Sequence, residues 1–235
     1  MDVKLFYTDN GPKSELAPMI LLHGNGGNSS SFFYVVDYFC KFRRVITLDT
    51  RGHGRTPKGE GAFTLKRFAD DLYAFMGEMD IKKAVLVGYS DGGNIAMIFA
   101  KEHPEMVAGL VLNGANMFPT GLKDKDLRWI VSSYKKAKKS LRRSPQNEHF
   151  KNELDLMLLM VNEPRLTKDD FSEVDAPTLV LVGSRDVIKP EHTDYIVSSF
   201  KNSSLAVVEG GHNIVKTNSE PYIAAIDGFL KEANI

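Results

Sequence analysis

Long apolar runs, cysteine pairs and an excess of either charge are all missing from this sequence. Lys and Arg number 30 and Asp and Glu number 30, so the formal net charge is zero. A balanced chain offers no global electrostatic case for binding nucleic acid or an anionic membrane. No apolar stretch approaches the length of a membrane span. The opening Met1-Asp2-Val3-Lys4 is too polar for the start of a signal peptide and reads as the approach to a strand. The single cysteine, Cys40, excludes an internal disulfide and fits a reducing, cytoplasmic setting. It lies in an aromatic-rich helical segment and is expected to pack in the core. No pair of histidines has the His-Glu-x-x-His spacing and there is no cysteine cluster, so no metal is expected. Internal repeats and low-complexity tails are absent as well.

What is present is ordinary globular composition, 43% apolar and 26% charged over 235 residues. That length suits one large domain, or one domain with an insertion. Strand-like and helix-like segments alternate, which predicts an α/β fold with a mostly parallel central sheet flanked by helices. Strands are expected over 3–7 at an edge, then 18–22, 44–48, 84–87, 107–112, 178–182 and 205–208. Helices are expected over 31–42, from the N-cap Thr64 to Met79, over 93–100, and from 221 to 232. Leu65, Phe68, Ala69, Leu72, Phe75, Met76 and Met79 follow the three/four spacing of an amphipathic helix.

The alternation stops between Asn116 and Asp175. Leu127, Ile130, Val131, Tyr134, Ala137 and Leu141 form a helical stripe, Phe150 to Val161 a second helix, and 169–174 a short third. Residues 116–175 therefore read as a helical cap on a core built from 1–115 and 176–235. From Lys123 to Arg143 there are nine basic residues against Asp124 and Asp126. Two readings stand here. One is a solvated outer face, the other steering of an anionic substrate or an acidic partner.

Gly88-Tyr89-Ser90-Asp91-Gly92 has the form Gly-x-Ser-x-Gly, with a strand before it and a buried helix after it. That setting presents a serine hydroxyl at a sheet end as a nucleophile. A glycine-rich turn with an ordinary serine N-cap is the alternative. The nucleophile reading demands an acid and then a histidine at later strand ends. Asp186 follows the strand at 178–182, and His212 follows the strand at 205–208. Gly24, Gly26 and Gly27 lack the Gly-x-Gly-x-x-Gly spacing of a dinucleotide site, so a nucleotide cofactor is not expected.

Together with His23-Gly24 and the Asp49 to Gly54 segment Asp-x-Arg-Gly-His-Gly, these motifs resemble the α/β-hydrolase superfamily over essentially the whole chain. The resemblance is nearest to its small capped esterase-like branch, which also holds lactonases, thioesterases, carbon–carbon hydrolases and proline iminopeptidases. It implies the α/β-hydrolase fold with the helical cap inserted after the sixth strand. It implies Ser90 as nucleophile, His212 as general base and Asp186 as its orienting acid. The backbone N–H groups of Asn25 and Asp91 are implied as the oxyanion hole. Trp129, Met157 and Met160 are candidates for the substrate pocket. The expected activity is hydrolysis of small to medium carboxylic esters through an acyl-enzyme, without a cofactor, on a small-molecule substrate. A ligand receptor of the same fold is the alternative from a different class. Haloalkane dehalogenases and epoxide hydrolases use Asp as nucleophile, and this elbow carries Ser90. Much of the branch has Met, Leu or Gln after the nucleophile where this chain has Asp91. Asp91 is either a first-turn acid that stabilises the helix, or a group that tunes His212 or contacts a polar substrate.

Overall fold

The computed structural model describes residues 2–235, and Met1 lies outside them. Seven strands form one sheet: β1 (Phe6–Asn10), β2 (Met19–Leu22), β3 (Val45–Asp49), β4 (Ala84–Tyr89), β5 (Val107–Asn113), β6 (Thr178–Gly183) and β7 (Ser203–Val208). Their spatial order is β1-β3-β2-β4-β5-β6-β7. β1 runs antiparallel to β3 at the edge, and every other pair is parallel.

Strands β2, β4, β5 and β6 are apolar except for Asn113 and Thr178 at their ends, because both faces of the sheet are covered. In β2, Ile20 and Leu22 enter one core layer while Met19 and Leu21 enter the other. β4 divides in the same way, Leu86 to one side and Val85 and Val87 to the other. Helices α2 (Leu65–Glu78) and α3 (Asp91–Glu102) pack on the first face. Helices α1 (Phe33–Phe39) and α8 (Ser219–Glu232) pack on the second. Thr64 caps α2 as expected, its side chain accepting from Arg67 N. The chain order reverses between β2 and β4, so the loops after these two strands face each other across a crevice at the strand ends.

The helical segment lies between β5 and β6. It contains α4 (Asp124–Arg143) and α5 (Glu148–Asn162), which pack on each other. The expected third helix is a single 3₁₀ turn over Lys168–Phe171. In α4, Ile130 and Ala137 are buried while Lys135, Lys136, Lys138 and Lys139 are exposed. The basic residues thus form the solvated outer face. An ion pair from Lys58 to Asp155 ties α5 to the loop after β3. Glu163, just past α5, accepts from Leu65 N at 2.7 Å, placing a carboxylate at the N-terminus of α2.

Two expectations are corrected. The helical segment follows the fifth strand, not the sixth. Five strands precede it, the same number as the strand-like runs expected before Asn116, and the first of them is β1. That strand is also shifted towards the C-terminus of the expected 3–7. Pairing with β3 sets its register, Phe6 opposite Asp49 through Asn10 opposite Val45, while Val3 and Leu5 are buried in the segment leading into it. Two short helices follow the loops of the later strands, α6 (Pro190–Val197) and α7 (Ile214–Thr217). Among the described residues no helix is long and apolar enough to cross a membrane.

Candidate active site

The turn from β4 into α3 is tight enough to dictate its sequence. A side chain at Gly88 would collide with the Gly92 carbonyl and the Gly93 nitrogen, and one at Gly92 with the Leu22 carbonyl. Ser90 between them has φ 54° and ψ −120°, a conformation that non-glycine residues rarely adopt. Strain of this kind is held in place by packing and recurs at functional sites. It aims Ser90 Oγ out of the sheet end.

β6 and β7 bring the partners. His212 Nε2 lies 3.0 Å from Ser90 Oγ, and His212 Nδ1 lies 2.7 Å from Asp186 Oδ1. Asp186 also accepts from Gly183 N at 3.1 Å and from Ile188 N at 3.2 Å, so its carboxylate is fixed on both oxygens. Burial would raise the Asp186 pKa, but the hydrogen bond to His212 and the two amides outweigh it and hold the carboxyl below its ordinary value. Lys123 donates to the Asp186 carbonyl, and Lys123 N bonds the Val187 carbonyl at 2.8 Å, which ties the start of α4 to the acid loop. The structure therefore brings Ser90, Asp186 and His212 into one hydrogen-bonded line from three separate strand ends.

The loop after β2 faces this line. His23 Nε2 accepts from Thr50 N at 3.0 Å, so its proton sits on Nδ1, which donates to the Gly24 carbonyl at 2.8 Å. Burial pushes the His23 pKa down to about 4 and keeps the ring neutral near pH 7. Asn25 follows. Among the described residues, neither the Asn25 nor the Asp91 backbone N–H donates to a protein acceptor. The Asp91 side chain does more than end a helix. Its Oδ2 accepts from Asn25 Nδ2 at 2.9 Å and its Oδ1 from Asn94 Nδ2 at 3.3 Å. Asn94 in turn accepts from Asn116 N at 2.9 Å. Asn25 Nδ2 also reaches the Leu156 carbonyl of α5 at 3.3 Å. Asp91 thus joins the β2 loop, the elbow helix and the root of the helical segment. Burial raises its pKa against the opposing pull of Asn25.

A cavity of about 460 Å³ opens over Ser90. Its floor is Gly24, Asn25, Tyr89, Ser90 and His212, and its roof comes from α4 and α5. The expected Trp129, Met157 and Met160 line it, with Trp129 at its outer rim and 63% exposed. Leu122, Leu156 and Val187 complete its apolar wall, and Asp126 and Glu153 bring carboxylates into it. None of these five was read from the sequence, because their meeting depends on how α4 and α5 fold back over the sheet. Tyr89 was also missed. Its ring centroid lies 5.1 Å from that of His212, and burial pushes its hydroxyl up to about 12.

A family model described as the alpha/beta hydrolase fold matches residues 17–137. An sn-1-specific diacylglycerol lipase of Danio rerio is 34% identical over 112 residues, covering 47% of this chain and 35% of that protein. The match thus spans about a third of that relative's length. A monoacylglycerol lipase of Xenopus laevis is 23% identical over 97% of this chain and 79% of its own. A thermophilic esterase from Thermogutta terrifontis superposes with a TM-score of 0.79 at 24% identity, covering 99% of this chain and 95% of that one.

Proposed function

The chain belongs to the alpha/beta hydrolase-fold family, and within it we propose a serine hydrolase of small to medium carboxylic esters. The observation that carries this reading is the line from Ser90 Oγ through His212 to Asp186, at 3.0 and 2.7 Å, opening on a cavity of about 460 Å³. A cavity of that size suits a small organic acyl compound.

In this reading Ser90 Oγ attacks the acyl carbonyl carbon while His212 Nε2 takes the hydroxyl proton. Asp186 holds the imidazole with Nδ1 protonated and stabilises the imidazolium. The tetrahedral oxyanion accepts from the Asn25 and Asp91 N–H groups. Collapse breaks the ester C–O bond, and His212 returns the proton to the departing alcohol. Water then attacks the acyl-enzyme, giving its proton to His212, and the carboxylic acid leaves as Ser90 Oγ is reprotonated. Residues 116–175 act as the cap, with α4 and α5 excluding bulk water from the acyl group. Apart from the attacking water, every reacting group in this sequence of steps belongs to the chain or the substrate.

The test is hydrolysis of a short-chain p-nitrophenyl ester by the wild type and by Ser90→Ala. The variant is expected to lose at least about 10⁴-fold in kcat/KM. Unchanged turnover would sink the assignment.

A further inference from the structure

We infer that β7 is a self-complementary docking edge, where two copies of this chain join as a two-fold dimer by antiparallel pairing of Ser203–Val208 about Leu205. The interface goes beyond the catalytic reading, and none of its residues lines the cavity over Ser90.

β7 ends the sheet on one side, with β6 as its neighbour. Thr178 N donates to the Asn202 carbonyl and Ser184 N to the Val208 carbonyl, each at 2.8 Å. The even-numbered residues of β7 therefore turn their backbone groups to β6. A parallel ladder alternates, so Ser203, Leu205 and Val207 turn their N–H and C=O groups outward. Among the described residues no loop or turn pairs with them. Edge strands are commonly blunted by a charge, a proline or a covering segment. β7 reads Ser-Ser-Leu-Ala-Val-Val, and Leu205 and Val207 stand on one face, 44% and 60% exposed. The opposite edge is blunted: β1 carries Asp9, ion-paired with Arg44, and Phe6 N donates to Thr56 Oγ1 at 2.8 Å.

The charges at the two ends of β7 name the occupant. Lys201 lies four residues before Leu205, and Glu209 lies four residues after it. Antiparallel pairing about Leu205 therefore sets Lys201 of each copy opposite the partner's Glu209. Within one copy Lys201 pairs with Asp175 and Glu209 with Arg185, and all four side chains are well exposed. Across the dimer the signs then alternate from Asp175 to Lys201 to the partner's Glu209 and Arg185, with little desolvation. Moving the axis to Ser204 or Ala206 sets Lys201 against Val207 or Gly211 and loses the match. In the favoured register Leu205 faces its own equivalent and Ser203 faces the partner's Val207. Each of these pairs exchanges both backbone hydrogen bonds, and the interface is the same patch on both copies.

Sedimentation velocity tests the pairing. The wild type is expected to pass from one copy to two as concentration rises, since a contact through one strand is narrow. Lys201→Glu and Glu209→Lys should each weaken association by about tenfold or more, because each sets like charges face to face at both ends. Mixing these two variants should restore association, every facing pair then being opposite in sign. Leu205→Lys, which puts two ammonium groups at the axis, should weaken it by at least as much. A second measurement needs no variant. A zero-length carbodiimide should link Lys201 to Glu209 in the wild type. Within one copy the two lie at opposite ends of the strand, roughly 26 Å apart, so the link forms only between copies. A single copy at every concentration overturns the inference. So does a dimer that survives Leu205→Lys and both charge reversals, or one that yields no Lys201–Glu209 link.

Discussion

Below the cavity, Ser90, Asp186 and His212 stand at the ends of β4, β6 and β7. Above it, Trp129, Glu153 and Met157 stand on α4 and α5. The floor is tied into the sheet: Asp186 is 4% exposed and held by two backbone amides as well as His212. The roof is more open: Ile130 is buried, but Trp129 is 63% exposed. Groups that must be placed within a fraction of an ångström for proton transfer are fixed by strand register and a strained turn. Groups that only shape a cavity are carried on an amphipathic helix pair whose other face is solvated. Change in the floor should therefore cost rate, and change in the roof should alter selectivity.

The largest effect expected in the floor, beyond loss of the nucleophile, is from Asp186→Asn. It leaves the shape intact but removes the negative charge and exchanges one acceptor oxygen for an amide donor, so the Nδ1–H tautomer of His212 is no longer enforced, and kcat should fall about 10⁴-fold in a p-nitrophenyl ester assay. A loss below about tenfold would mean that His212 is oriented by something else. Next comes Asn25→Ala, which keeps the backbone N–H but cuts the ties to Asp91 and Leu156. The expected loss is about 10- to 100-fold in kcat with little change in KM, because the oxyanion donor drifts while the cavity stays. A change confined to KM would move Asn25 from the floor to the roof in function.

Asp91→Asn tests the floor through stability. Burial raises the Asp91 pKa, with Glu163 adding to the rise and His212 opposing it. The ionised form is therefore disfavoured in the fold. Stability falls as pH climbs from the ordinary aspartate range through the raised value, and the full penalty is present above it. Asp91→Asn should melt higher than the wild type at neutral pH, and the gap should close as the pH drops below the ordinary aspartate range. A variant less stable at neutral pH would show that its carboxylate is a net support. The smallest effect belongs to the outer face of the roof. Lys136→Glu with Lys139→Glu, both exposed, should leave kcat/KM for a neutral ester within about twofold, since exposed charges are screened by solvent and salt.

The same division governs what was legible beforehand. Strand runs such as Val85 to Val87 and Leu179 to Val182 are readable because a sheet covered on both faces requires continuous apolar residues. Ser90, Asp186 and His212 each follow such a run, so the floor could be located from the chain alone. Trp129, Met157 and Met160 could be named as candidates because they are large apolar residues of the helical segment. The carboxylates of Asp126 and Glu153 were not, since a polar residue on an amphipathic helix reads as solvated unless the partner helix is known. The bond from Asn25 to Asp91 joins residues 66 apart in sequence and has no local signal. The shift of β1 has the same origin, because its register belongs to β3.

The central claim is that Ser90 is the nucleophile of a Ser90–His212–Asp186 unit. Peptide mass spectrometry after fluorophosphonate treatment tests it most directly. One adduct on the peptide containing Ser90 is expected, with labelling strongly slowed in His212→Ala. An adduct on a different residue, or a labelling rate indifferent to His212, would contradict it.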